Sequence, residues 1–74
     1  MQTQARLLRN ILNLSQTEMA DFMGMPVATW RSWESGAREP SGAGKRFMEF
    51  IQMINMLNPA IIDAMKPGTK TNKA

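Results

Sequence analysis

The groups on this chain that could do chemistry are few in kind. There are nine Lys and Arg, six Asp and Glu, and a set of hydroxyl and amide side chains, but no His, Cys or Tyr. Imidazole, thiolate and phenol are the usual general bases and metal ligands, and all three are missing. Catalysis would have to run on carboxylates, cations and hydroxyls, and a chain of 74 residues rarely encloses the water-excluding pocket such work needs. The expectation is therefore no enzyme, no metal and no cofactor. A net charge of +3 and a pI near 10.0 favour an anionic partner instead, nucleic acid first and an acidic membrane or protein surface second.

Those cations need a scaffold, and its size is bounded. A chain of 74 residues holds one domain, and 43% hydrophobic residues suffice for one core. No apolar run approaches the ~18 residues of a membrane span. The N-terminus carries Arg6 and Arg9 with polar residues between, and lacks the apolar stretch of a signal peptide. A cytoplasmic protein with no membrane contact is expected.

The apolar periodicity is helical throughout. Leu7, Leu8, Ile11 and Leu12 read as one stripe on a first helix over residues 3–13, stopped by Asn13. Ser15 to Glu18 fit the capping box S-x-x-E, in which a hydroxyl and a carboxylate each accept the other residue's amide. A second helix over 16–23 buries Met19, Phe22 and Met23, and Gly24 ends it. Pro26 suits a helix start, so a third helix runs over 27–35 and closes at Gly36. Two short helices joined by a tight glycine turn make a helix-turn-helix. Trp30 and Trp33, three apart, share one face of the third helix. That face turns inward, so they anchor the helix rather than stack on bases.

A loop from Ala37 to Pro40 carries Arg38, and the longest helix runs from the Ser41–Gly44 entrance to Leu57. Its core stripe is read as Phe47, Phe50, Ile51, Ile54 and Leu57, with Met48, Met53 and Met56 on other flanks. Asn58 and Pro59 then cap and open a fifth helix, over 59–66. The domain is expected over 1–66, followed by a disordered basic tail over 67–74 with Lys70 and Lys73. The fold class is all-α.

The block L-S-Q-T-E-M-A-D-F-M-G, V-A-T-W-R-S-W-E-S-G, A-R-E-P-S-G resembles the helix-turn-helix of the Cro/C1-type (Xre) family of DNA-binding regulators. The likeness continues through G-K-R-F-M-E-F-I and N-P-A-I-I-D-A-M, and covers roughly residues 6–66. It points to the compact subgroup of phage and plasmid repressors, anti-CRISPR-associated regulators and antitoxins of HigA and NadS type. The resemblance implies a five-helix, lambda-repressor-like domain whose third helix enters the major groove. Pro26, Val27, Ala28, Thr29, Arg31 and Ser32 are then its DNA-facing positions. There Arg31 suits a guanine O6/N7 edge, Ser32 and Thr29 read either way, and Val27 or Ala28 touches a thymine methyl. Val27 and Ala28 stand where long amides are common in the family, which leaves the direct code sparse and gives DNA shape more of the readout. Gln16 and Thr17, at the second helix's start, are implied phosphate contacts; Arg38 in the loop, and Lys45 or Arg46 near the next helix start, are placed to be others. Gly42 and Gly44 offer either a backbone approach to phosphate or simple loop flexibility. Arg9 and Glu34 match the family's charged pair between the first and third helices.

The apolar excess in the last two helices, counted as Met48, Met53, Met56, Ile61, Ile62 and Met65, marks a partner surface. Met48, Met56, Ile61, Ile62 and Met65 are expected at a two-fold homodimer interface. Such pairing spaces two third helices ~34 Å apart, for a palindromic operator on double-stranded DNA. The function expected is a transcriptional regulator, most simply an autorepressor, with no sensor domain in these residues. Two other readings stand beside it: an antitoxin that also binds a toxin partner, and an adaptor that uses the fold without DNA.

Overall fold

Thr3 opens the first helix: its side chain accepts the amide of Arg6 at 3.2 Å, and α1 runs Gln4–Leu12. In this computed structural model, which describes residues 2–66, four further helices follow: α2 Gln16–Met23, α3 Val27–Ser35, α4 Gly42–Leu57 and α5 Pro59–Met65. Among the described residues there is no strand. The expected tail over 67–74 lies outside them.

Local chemistry sets the helix ends. Asn13 takes the left-handed conformation at φ 60°, and the following Leu14 amide folds back onto the Arg9 carbonyl. The Ser15–Glu18 capping box closes in both directions, at 3.0 and 2.9 Å. Gly24, at φ 73°, ends α2 and lets the Met25 amide reach the Ala20 carbonyl. α3 begins after Pro26 with no side-chain cap, so its first amides are left to other partners. Ser41 accepts the Gly44 amide at 3.0 Å, and Asn58 accepts that of Ala60, so the last two helices are capped as well.

α3 packs against α1 and α2, α4 leans on α1, and α5 folds back on α4. The core they enclose is Ala5, Leu8, Leu12, Leu14, Met19, Ala20, Trp30, Trp33, Met48, Ile51 and Ile62. Two stripes differ from the expectation. On α1 the buried face is Ala5, Leu8 and Leu12, whereas Leu7 and Ile11 remain 48% and 46% exposed. On α4 Met48 and Ile51 are buried, while Phe50 and Leu57 are 53% and 79% exposed, and Phe47 is exposed too.

Gly44 explains the rotation of α4. A Cβ on Gly44 would lie 2.6 Å from the Trp33 ring, so only a glycine lets the helix backbone rest against that indole. Once Gly44 faces inward, Met48 and Ile51, four and seven residues on, must face inward with it. Phe47, Phe50 and Leu57 are turned out. The glycine expected either to approach phosphate or to loosen the loop is instead a packing surface for tryptophan.

Candidate nucleic-acid interface

The turn between α2 and α3 sets the angle of a short helix with two unlike sides. Trp30, Trp33 and Glu34 point inward and are buried. Pro26, Ala28 and Arg31 are exposed, and Val27, Thr29 and Ser32 are half-buried at the margin. Ser32 is turned back along its own helix, donating its hydroxyl to the Thr29 carbonyl at 2.6 Å, and Val27 packs partly on the core. The outward side is thus sparse in polar groups, and Arg31 is its one long side chain.

Gln16 comes from the first turn of α2 and lies beside Arg31, whose Nε donates to its Oε1 at 3.2 Å. That contact puts the start of α2 and the middle of α3 on one surface. Thr17 is exposed next to it. Arg38 follows in the loop after α3; its side chain is exposed and its backbone amide donates to the Ser32 carbonyl at 3.2 Å. Lys45 is exposed in the first turn of α4, with Nζ 3.4 Å from the Glu39 carboxylate, and Arg46 pairs with Glu49 at 3.3 Å. Lys45 and Arg46 therefore have part of their charge already answered locally.

Behind this surface sits a buried carboxylate. The Glu34 side chain is 1% exposed and forms an ion pair with Arg9, whose Nε and Nη2 both donate to it. Trp30 Nε1 donates to the same carboxylate, as does Gln16 Nε2 at 3.1 Å, and Arg6 stands 3.7 Å away. Arg9 spends Nη1 on the Leu14 carbonyl, and Thr3 donates its hydroxyl to the Glu34 carbonyl at 2.9 Å. Burial pushes the Glu34 pKa up. The hydrogen bonds from Arg9, Gln16 and Trp30 and the charge of Arg9 outweigh that, so its carboxyl is held below the usual range. A buried charge with so many donors ties α1, α2 and α3 at one point.

The family resemblance implies the Arg9–Glu34 pair but not the rest of the cluster. Trp30 and Glu34 are four apart on one helix, and a buried indole N–H needs an acceptor, so that pairing had a signal. Gln16, Arg6 and Thr3 had none, because they arrive from other helices or across the fold.

The residues expected at a partner surface are divided by the structure. Met56, Ile61 and Met65 are exposed, but Met48 and Ile62 are buried in the monomer core and cannot form a surface. Met48 is drawn inside by the rotation of α4, and Ile62 by the fold-back of α5. Met53, counted in the apolar excess, is exposed as expected, and Phe47, Phe50 and Leu57 join the exposed apolar residues. Among the described residues no helix is long and apolar enough to cross a membrane, and no three metal-binding side chains come together.

These features define the class: a small all-helical domain with a helix-turn-helix, its second helix exposed along one side and fixed by a buried ion pair along the other. Within that class, the chain belongs to the Aca2/YdiL-like family, whose model matches residues 1–73. This is a family of small, helix-turn-helix-like regulators associated with anti-CRISPR genes, and it points to a small DNA-binding regulator. Comparison with curated proteins and with solved structures gives no match.

Proposed function

We propose that the protein is a homodimeric repressor of its own operon that binds an inverted repeat in double-stranded DNA, with α3 lying in the major groove. The observation that carries this reading is the Arg31–Gln16 contact. It joins the exposed side of α3 to the start of α2, where amides not needed by the helix can meet a phosphate. Arg31 presents its guanidinium to a guanine edge, and Ala28 suits a thymine methyl. Gln16, Thr17, Arg38 and Lys45 fall to the backbone. With few base-reading groups, sequence-dependent DNA shape carries part of the preference. A regulator of this kind works in the cytoplasm on the nucleoid, without a cofactor and without catalysis.

The exposed apolar residues of α4 and α5 support the homodimer, because so small a domain rarely leaves this much hydrocarbon in water. Pairing there sets two copies of α3 about one DNA turn apart, ~34 Å. The same surface would serve a toxin partner in the antitoxin reading, and a stable heterocomplex on co-expression with a neighbouring small gene product would favour that alternative.

Footprinting on the DNA upstream of the protein's own gene tests the reading. A protected inverted repeat is the expected result; no protection at low salt overturns it. On the site so found, Arg31→Ala should lose about 1–3 kcal/mol and relax one base position per half-site. Arg38→Ala should weaken all sequences alike and lower the salt slope by about one phosphate per protomer.

A further inference from the structure

Three side chains in a row connect the inside of this protein to its outside. Glu34 is buried, Gln16 is half-buried, and Arg31 is exposed. Gln16 Nε2 donates to Glu34 Oε1 at 3.1 Å, and Arg31 Nε donates to Gln16 Oε1 at 3.2 Å. An amide has one donating and one accepting end, and the carboxylate takes the donating end. The accepting oxygen must then face α3, where Arg31 sits. The carboxylate cannot turn to release the amide, because Arg9 and Trp30 hold it from the other sides.

Resting on the reading of α3 as the DNA-contacting helix, we infer that Glu34 sets the base preference of Arg31 through Gln16, although Glu34 itself never reaches a ligand. The stereochemistry of guanidinium supplies the mechanism. Arginine can clamp a pair of acceptors either side-on, through Nε and one Nη, or end-on, through the two Nη groups. Gln16 occupies Nε, which closes the side-on edge. Both Nη groups remain unengaged among the described residues, so the end-on edge is the one offered to a base. A planar group held at one end loses less freedom when it binds than a free one. Gln16 and Glu34 are therefore positioning residues for Arg31. Gln16 is more than the phosphate contact that its place on α2 suggests.

The test measures the affinity of the full chain for its operator and for duplexes substituted at single positions. In the wild-type protein, Arg31→Ala marks the position that Arg31 reads. Gln16→Ala and Glu34→Gln should each reduce the preference at that same position by about fivefold, the size of one hydrogen bond. In an Arg31→Ala background neither change should reduce it further. Preference retained in Gln16→Ala, with equal weakening on every duplex, would overturn the relay while leaving the DNA-binding reading intact. Absence of binding to any duplex by the wild-type protein would overturn both. Should Glu34→Gln fail to fold, the Nε–H resonance of Arg31 by nitrogen NMR gives an independent readout. It should be sharp and shifted in the wild-type protein and should move to the solvent-exposed position in Gln16→Ala; an unchanged resonance overturns the proposal.

Discussion

Replacing Gly44 by alanine should destabilise this protein, against the ordinary rule for glycine in a helix. At an unobstructed helical site the change gains up to about 1 kcal/mol, because alanine loses less backbone freedom on folding. Here the new methyl would lie 2.6 Å from Trp33 Cη2 and 3.2 Å from Cζ3, where ordinary contact begins at 3.4 Å. The ring has little room to retreat, since Trp33 is itself buried and its ring centroid is 5.9 Å from that of Trp30. Overpacking of this kind costs about 1–3 kcal/mol, and an overlap so large with a rigid neighbour belongs at the upper end. Gly42 is the control: it lies in the same first turn of α4, and nothing stands within 4 Å of its added Cβ. Because both sites share a helix turn, the propensity gain largely cancels in the comparison. Gly44→Ala should thus fall about 2–3 kcal/mol below Gly42→Ala, a difference of about 10 °C or more in Tm for a domain of this size. Thermal and urea unfolding followed by circular dichroism would measure it. If Gly44→Ala is as stable as Gly42→Ala, the account of how α4 acquires its rotation is wrong.

Other perturbations test the buried carboxylate and the apolar surface. Arg9→Met leaves the buried Glu34 carboxyl without its cation, and should lower stability by about 3 kcal/mol in urea titrations; the double change with Glu34→Leu should recover only a part, since the indole of Trp30 and the amide of Gln16 then lack their acceptor. Glu34 is held below the usual carboxylate pKa, so its stabilisation is complete above the unfolded value of ~4.3 and drains away as pH falls through the folded one. The stability gap between wild-type protein and Glu34→Gln should therefore be widest near neutrality and narrow in acid, and a gap that does not change with pH refutes the assignment. Phe50→Glu, at an exposed position, should leave monomer unfolding nearly unchanged yet raise the dissociation constant of the proposed dimer roughly tenfold or more in sedimentation experiments.

What was legible in the residue order was what neighbours in the chain decide. The capping box at Ser15 and Glu18, the left-handed turns at Asn13, Gly24 and Gly36, and the Asn58–Pro59 start of α5 depend on residues within a few positions. The bounds of α2 and α3 follow from them. The orientation of α4 was illegible because this helix is apolar on most of its circumference, so periodicity alone does not choose between the Phe47 and Met48 sides. A contact between Gly44 and an indole from another helix makes that choice. Likewise α1 offered a stripe of large residues, while the structure uses the small Ala5 and leaves Leu7 and Ile11 out. At the candidate site, the positions on α3 come from the family resemblance and not from the residues themselves. Neither side-chain partner of Gln16 is legible in the sequence, since the amide meets Glu34 and Arg31 only once the helices are in place.

The two sides of α3 have a consequence for how this protein could change. The inward side, Trp30, Trp33 and Glu34, is committed to the scaffold, and an altered residue there disturbs three helices at once. The outward side at Ala28 touches little, so exchanges there are close to neutral for folding. One strip of this short helix can thus vary freely while the architecture behind it stays fixed.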